Sequence, residues 1–354
     1  MFEFNRTKKI KARETCSSAQ KNIMFLKTHK TGSSTITNIL NRFADRHNLT
    51  VALPMDGFYH FLWPLPFQTD FVQNRVPRPN ILSNHARFDA KSLAELLPDT
   101  TKYISILRHP ATQFASLFQF MDLGGLLAAN GNRKSISLEY FLDNAFEILS
   151  SLNRRYPQIL IDNPSLQLLR NPQLFDFGFD QSNEAMTREQ LEVISRKFNL
   201  ILIMEHFDES LILLRRKLCW TLDDVVYFKL NQQLGKNEPT SARVREKILH
   251  WIKEDVMLYK YFNASLWDEI KREGESFWNE VAMLRKRNRE LSAECLRTGI
   301  FIDKPYNSSA AVIYGYSLKP NISTALKLTC ERMVRPEMKY LEYFRTVSKR
   351  LQPG

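Results

Sequence analysis

The sequence predicts an α/β fold in which helices flank a central parallel sheet. Three short runs have the apolar and β-branched composition of buried strands: Asn22–Leu26, Lys102–Leu107 and Leu200–Met204. Segments with helical spacing of apolar residues lie between these runs, and strands that alternate with helices favour a parallel sheet covered on both faces. A chain of 354 residues is also long enough to bury one large core.

The first run continues into a polar turn and a helix. The turn, Lys27–Thr35, contains two lysines, a histidine, several hydroxyl side chains and one glycine, Gly32. Apolar residues then recur at helical spacing, at Ile36, Ile39, Leu40 and Phe43. In a strand–turn–helix unit the backbone N–H groups of the turn and the helix N-terminus converge on an anion. The segment therefore predicts a site for a phosphate-like group.

A nucleoside-triphosphatase P-loop fits this segment poorly. That motif requires a glycine, four residues, and then Gly-Lys-Ser/Thr. Here Lys30 precedes Gly32 by two positions, and no glycine begins the turn. The order Lys-Thr-Gly-Ser-Ser resembles instead the 5′-phosphosulfate loop of sulfotransferases.

The remaining elements follow from local signals. We predict strands at Leu49–Leu53 and Ile81–Asn84, and an irregular segment rich in proline and aromatic residues at 54–80. Helices are predicted at Ala90–Leu97 after the N-cap Asp89, from Ser137 to Leu152, from Thr187 to Phe198, and at Leu211–Leu218. Two or three long helices should cover Ser241 to about Leu296, followed by a loop-like region at 299–321 and a last helix at Ser323–Leu351.

The domain prediction is a polar stem, residues 1–21, and a single domain, residues 22–354, with a helical extension from about residue 240. The net charge of +12 suggests anionic partners, but the basic residues are dispersed, so nucleic acid is not an expected partner. No run of about 18 apolar residues exists that would span a bilayer. Four cysteines allow three pairings, and we expect Cys295 with Cys330, which flank the loop-like region.

Two further positions complete the predicted site. Arg108 ends the strand Lys102–Leu107, and Ser116 follows eight residues later in the next helix. Ligands of an open parallel sheet bind beyond the carboxyl ends of its strands, and an arginine with a hydroxyl suits a second phosphate. His85 follows another short strand. Considered alone, Arg108 is better explained as a surface charge, Ser116 as a residue on the helix exterior, and His85 as a capping or core histidine.

Together the two polar segments resemble the paired nucleotide motifs of Golgi sulfotransferases. The wider sequence is similar to the galactose 3-O-sulfotransferase family, which includes galactosylceramide sulfotransferase. The similarity covers most of the chain through the segments NIMFLKTHKTGSSTITNIL, SNHARF, ILRHPATQFASLF, LLRNPQLFDFGFD, EHFDESLILL, LCWTLDDVVYFKLN and CERMVRPEMKYL. One departure is His109, where relatives often have Asp.

The resemblance implies a P-loop-like sulfotransferase fold and in-line transfer of a sulfuryl group from 3′-phosphoadenosine 5′-phosphosulfate (PAPS) to the 3-hydroxyl of a terminal β-galactose, without a metal. His85 would be the general base, and Lys30 would stabilise the leaving phosphate. The nucleotide-binding residues would be Lys27, Thr28, His29, Lys30, Thr31, Gly32, Ser33, Ser34, Thr35, Arg108 and Ser116. Two alternatives remain open: a glycosaminoglycan-type uronosyl or hexose O-sulfotransferase, and a catalytically inactive glycan-binding relative.

The expected partners are the nucleotide donor and a galactose-terminated glycolipid or glycan, with a homodimer left open. The expected location is the Golgi lumen, at a membrane to which relatives attach through an anchor that this chain lacks. Five Asn-x-Ser/Thr sequons agree with the secretory route, namely Asn5, Asn48, Asn263, Asn307 and Asn321.

Overall fold

The structure is a computed structural model that describes residues 16, 18–128, 135–180, 186–230, 232–233, 240–298, 301–303 and 313–351. A parallel sheet lies at its centre and consists of β1 (Ile23–Leu26), β2 (Ile81–Leu82), β3 (Lys102–Leu107) and β4 (Leu200–Ile203). The order across the sheet is β2–β1–β3–β4, and every neighbouring pair is parallel. The predicted α/β class is therefore confirmed.

Helices cover the sheet on both faces, which explains why the strands are apolar runs without alternation. All four residues of β1 are fully buried, and the same holds for Leu202 and Ile203 of β4. The helices up to residue 225 are α1 (Ser33–Arg46), α2 (Ala90–Leu96), α3 (Pro110–Phe120), α4 (Leu123–Ala128), α5 (Leu138–Arg155), α6 (Ile159–Asp162), α7 (Pro172–Asp176), α8 (Arg188–Lys197), α9 (Phe207–Leu218) and α10 (Leu222–Val225).

Where the sequence has a capping signal, the predicted N-terminus of the helix is confirmed. The Asp89 carboxylate accepts a hydrogen bond of 2.8 Å from Ser92 N at the start of α2. Thr187 and Gln190 bond reciprocally at the start of α8, as in a capping box. Local signals of this kind act within four residues and do not depend on the tertiary fold.

The C-terminal part of the described chain is mainly helical, as predicted, with α11 (Ala242–Trp251), α12 (Lys253–Glu273), α13 (Glu275–Cys295), α14 (Thr324–Val334) and α15 (Glu337–Leu351). Gly274, at φ +74°, separates α12 from α13. The prediction of one last helix is wrong, because Pro336 between α14 and α15 disfavours helical geometry in the residue before it.

The predicted strand Leu49–Leu53 is also wrong. Val51 alone forms a bridge with Ile81, with backbone hydrogen bonds on both sides of it, but two N–H groups of the segment bond to side chains. The Asn80 carboxamide accepts from Thr50 N at 3.0 Å, and the Asn74 carboxamide accepts from Leu53 N at 2.8 Å. These side-chain bonds limit the pairing with β2 to a single bridge, so the segment is extended without forming a strand.

Residues 299–321 are not simply a loop. Within the described residues, β6 (Phe301–Asp303) and β7 (Ile313–Gly315) are antiparallel, and β7 also pairs with β5 (Gln232–Gln233). The predicted disulfide Cys295–Cys330 joins α13 to α14, and a second disulfide joins Cys16 to Cys219. The sequons Asn5 and Asn307 and most of the predicted stem lie outside the described residues. None of the described helices combines the length and apolar character that crossing a membrane requires.

Candidate active site

The candidate site lies at the edge of the sheet where the four parallel strands end. Lys27 follows β1, Arg108 follows β3, and His85 comes three residues after β2. The strand order places β2 and β3 on opposite sides of β1. The connections from β1 to its two neighbours therefore run in opposite directions across the sheet. Ligands of open α/β sheets bind in the crevice at such a switch point.

The turn after β1 has a backbone that depends on its glycine. Gly32 has φ +79°, and a Cβ built on it would lie 2.5 Å from the sulfur of Met204. Lys30 also has a positive φ, of 59°. Glycine meets both demands at position 32, namely the left-handed backbone and the close approach of Met204. The turn therefore delivers the chain to the N-terminus of α1 at Ser33.

Several hydroxyl groups of the turn bond inside the protein. Thr28 Oγ1 donates to Ile106 O at 2.5 Å and lies 2.8 Å from Thr31 Oγ1. Ser33 Oγ donates to Thr28 O at 2.8 Å, and Thr35 Oγ1 accepts from Leu230 N at 3.3 Å. These contacts fix the shape of the turn. Ser34 lies half-buried in the first turn of α1.

Lys27 and Lys30 have different surroundings. Lys27 is buried, and its ammonium pairs with the carboxylate of Glu337 from α15. The Lys30 ammonium lies 3.6 Å from the centroid of the Phe120 ring. Burial, together with the nearby Arg108 guanidinium, lowers the pKa of Lys30 to about 8. A bound dianion would favour the charged form of Lys30, since it would offset both effects.

Arg108 lies next to the turn. Its Nη1 donates to the carbonyl of Lys30 at 3.1 Å, which joins the segments after β1 and β3. The backbone of Arg108 is held at both its N–H and its C=O by the amide of Gln173, at 2.9 and 3.0 Å. Ser116 lies on the buried side of α3, with 7% of its surface exposed. Arg108 thus leaves β3 in a fixed direction, beside Lys30.

The protonation state of His85 follows from its hydrogen bond. Its Nδ1 lies 3.0 Å from the carbonyl oxygen of Lys27. A carbonyl only accepts, so Nδ1 carries the hydrogen, and in the neutral ring Nε2 has a free lone pair. Burial, followed by the charges of His29 and Lys27, lowers the pKa of His85 well below 6.5. The partly buried imidazole is therefore a neutral base at pH 7.

The structure thus brings together the residues that the sequence analysis assigned to the site. The turn Lys27–Thr35, Arg108 and His85 meet at one edge of the sheet, and Ser116 lies in the helix that follows Arg108. In the part of the chain that the structure describes, no group of three His, Cys, Asp or Glu residues is placed to hold a metal.

Comparison with known proteins identifies the family of the chain. The family model described as galactose-3-O-sulfotransferase matches residues 6–348. The chain belongs to the galactose-3-O-sulfotransferase family. It is 38% identical to human galactose-3-O-sulfotransferase 2 over 338 residues, which cover 90% of this chain and 82% of that protein. It is 35% identical to human galactosylceramide sulfotransferase over 343 residues, covering 91% and 77%, and 34% identical to human galactose-3-O-sulfotransferase 3 over 350 residues, covering 93% and 78%.

Two segments by which the sequence resembles the galactose-3-O-sulfotransferase family supply contacts that the sequence analysis missed. Asp176 and Gln173 belong to LLRNPQLFDFGFD, which forms α7, and Glu337 belongs to CERMVRPEMKYL. Gln173 forms hydrogen bonds with the backbone of Arg108, Asp176 forms hydrogen bonds with His29, and Glu337 forms an ion pair with Lys27. The signal available in the sequence was that both segments belong to the similarity with the family.

Proposed function

We propose that the chain transfers a sulfuryl group from PAPS to the 3-hydroxyl of a terminal β-galactose on a glycolipid or a glycoprotein glycan. Membership of the galactose-3-O-sulfotransferase family supports the reaction class. The observation that carries the proposal is the geometry of His85. Its Nδ1 donates to the carbonyl of Lys27, the first residue of the candidate phosphosulfate turn. This hydrogen bond anchors the ring at the turn and leaves the lone pair of Nε2 free to accept a proton.

The cationic part of the site suits a nucleotide with a phosphosulfate and a second phosphate. Lys30, the backbone of the turn and the N-terminus of α1 would hold the 5′-phosphosulfate. Arg108 and Ser116 would hold the 3′-phosphate, since a guanidinium and a hydroxyl both donate to phosphate oxygens. When bound, PAPS would supply the sulfuryl group, and adenosine 3′,5′-bisphosphate would be the leaving group.

Two side chains would act on the reacting atoms. His85 Nε2 accepts the proton of the galactose hydroxyl, whose oxygen then attacks sulfur as the bond from sulfur to the bridging oxygen breaks. Lys30 stabilises the negative charge that develops on that bridging oxygen. The low pKa of His85 and the pKa of about 8 of Lys30 allow a neutral base and an ammonium group to coexist at pH 7.

The Golgi lumen is the proposed location. Disulfides persist in oxidising compartments, and two join distant parts of this chain. Asn48 and Asn321, both in sequons, have exposed side chains that a glycan could occupy, while Asn263 is half-buried within α12. Mass spectrometry of the secreted protein should therefore find both disulfides, with glycan on Asn48 or Asn321.

The function is tested by radiolabelled sulfate transfer from PAPS to a panel of acceptors. We expect label on lactose, galactosylceramide and galactose-capped glycans, and none on a matched lactose that lacks the galactose 3-hydroxyl. NMR of the product should show sulfate on carbon 3 of galactose. Transfer only to glycosaminoglycan chains would contradict the galactose assignment, and glycan binding without any transfer would contradict the enzymatic one.

A further inference from the structure

The fully buried carboxylate of Asp176, at the end of α7, is directed at the turn after β1. It accepts a hydrogen bond from His29 N at 2.9 Å and faces His29 Nδ1 at 2.9 and 3.1 Å. It also accepts from Trp63 Nε1 at 3.0 Å. One carboxylate therefore contacts both the backbone and the ring of His29, together with an aromatic residue from the irregular segment 54–80.

These contacts fix the orientation of the His29 ring. An ionised carboxylate only accepts hydrogen bonds, so His29 Nδ1 carries a hydrogen. The bond to His29 N restrains the backbone at the same residue, and Gln113 Nε2 donates to His29 O at 2.7 Å. With its backbone and ring both held, the imidazole of His29 has little freedom to rotate.

The fixed ring of His29 in turn contacts the proposed base. The rings of His29 and His85 are stacked, with centroids 4.2 Å apart and planes at 19°. The Trp63 ring also contacts His29, with a centroid distance of 4.6 Å and a tilt of 51°. A ring that donates one hydrogen bond through Nδ1 can still turn about that bond. Stacking restricts this remaining rotation of His85.

We propose that Asp176 is a positioning residue for sulfuryl transfer, which holds the plane of the His85 imidazole through His29. The inference rests on the proposed function, because it assigns a role toward the base of that reaction. Asp176 does not touch the reacting atoms in this account. Its effect is to keep His85 Nε2 aligned with the acceptor hydroxyl while the donor is bound by other residues.

The test compares Asp176→Asn with Asp180→Asn. The introduced carboxamide has the same shape as the carboxylate, but its nitrogen cannot accept hydrogen bonds from Trp63 and His29 as a carboxylate oxygen does. We expect turnover to fall about 10- to 100-fold, by analogy with the carboxylates that orient histidine ligands in metal sites. The affinity for adenosine 3′,5′-bisphosphate should stay within about twofold. Asp180, an exposed carboxylate that pairs with Arg87, is the matched control and should keep wild-type turnover.

A spectroscopic measurement keeps the inference testable without enzyme activity. In protein with ¹⁵N-labelled histidine, His29 Nδ1 of the wild type should bear a hydrogen-bonded proton, assigned by its absence in His29→Gln. In Asp176→Asn that proton signal should shift or disappear, and the ring signals of His85 should change with it. Asp180→Asn should leave both rings unchanged.

Three outcomes would overturn the inference. The first is turnover in Asp176→Asn within twofold of the wild type. The second is a parallel loss of turnover, nucleotide affinity and melting temperature, which would indicate a purely structural role. The third is a wild-type spectrum in which His29 Nδ1 lacks a proton. A wild-type protein that transfers no sulfate would contradict the proposed function instead, and the spectrum would still test the contact between Asp176 and His29.

Discussion

The proposed donor side of the site, with Lys30 and Arg108, and the proposed acceptor side, with His85, differ in charge although they meet at one sheet edge. On the donor side, Lys30 and Arg108 are in contact through a hydrogen bond of 3.1 Å, and both are cationic at pH 7. On the acceptor side, His85 is a neutral imidazole bonded to a backbone carbonyl. The side chains proposed to bind the anion and the side chain proposed to accept the proton thus differ in charge.

Burial lowers the pKa of a basic group on both sides of the site, but at pH 7 His85 is a neutral group and Lys30 stays a cation. It lowers the pKa of His85 and of Lys30, because it disfavours the charged form of each group. For histidine, which starts near 6.5 and is already mostly neutral at pH 7, the decrease leaves the ring neutral to lower pH as well. For lysine, which starts near 10.5, a decrease to about 8 still leaves the ammonium mostly charged. One environment can therefore hold a base and a cation together.

The largest expected effect comes from the acceptor side. His85→Ala should lower turnover on the order of a hundredfold or more, the range of a general base, because the galactose hydroxyl loses its proton acceptor. Steady-state kinetics with saturating PAPS measure the effect. His250→Ala, an exposed histidine at the end of α11, is the matched control and should retain full turnover. Near-normal turnover of His85→Ala would place the base elsewhere, with His29 as the leading alternative.

A somewhat smaller but broader effect is expected on the donor side. Lys30→Ala should slow transfer by roughly tenfold to a hundredfold and also weaken PAPS binding, since the ammonium would contact the anion in the ground state and more strongly in the transition state, where charge develops on the bridging oxygen. Kinetics and nucleotide titration together distinguish this pattern from that of His85→Ala. Lys286→Ala, an exposed lysine on α13, serves as the control. Lost turnover with unchanged PAPS affinity would refute the difference between the two sides.

The pH dependence should reveal both groups. Protonation of His85 removes the base, so the rate should fall as the pH drops through its lowered pKa, below about 6.5. Deprotonation of Lys30 removes the cation, so kcat/KM should fall above about pH 8. In kcat the alkaline decline should move to higher pH, because bound PAPS favours the ammonium. Lys30→Arg should abolish the alkaline decline, and its persistence in that variant would exclude Lys30 as its source.

The smallest effect on catalysis is expected from the disulfide between α13 and α14. Closing a loop with a sequence separation of 35 residues contributes about 3–4 kcal/mol of stability in the chain-entropy account. The double variant Cys295→Ser, Cys330→Ser should therefore melt at lower temperature but retain turnover per folded molecule. Equal loss of turnover in fully folded protein would show that this disulfide shapes the site directly.

The sequence predicts those parts of the fold that depend on local signals. The buried strands β1, β3 and β4 and the capped helices α2 and α8 follow from composition and from contacts within four residues. The predicted strand Leu49–Leu53 is wrong because the segment pairs with β2 at a single bridge, and asparagine side chains from residues 74 and 80 bond to two of its backbone N–H groups. The pairing of β5, β6 and β7 joins segments as far apart in sequence as Gln232 and Tyr314, which periodicity cannot reveal.

In the candidate site, too, the features that follow from local sequence were predictable and the long-range contacts were not. The turn Lys27–Thr35 and Arg108 were predictable because the strands of a parallel sheet end at one edge. The residues that hold them were not: Asp176 is 147 positions from His29, and Glu337 is 310 positions from Lys27. Such contacts arise from tertiary packing. Nothing in the local pattern of either segment indicates them.

The separation of donor and acceptor sides is tested most directly by calorimetric titration of adenosine 3′,5′-bisphosphate into the wild type, His85→Ala and Arg108→Ala. The wild type and His85→Ala should bind with equal affinity, in the micromolar range or tighter, and Arg108→Ala should bind at least about tenfold more weakly. For adenosine 5′-monophosphate, which lacks the 3′-phosphate, all three should bind alike. Equal losses in His85→Ala and Arg108→Ala, or no binding by the wild type, would contradict this separation.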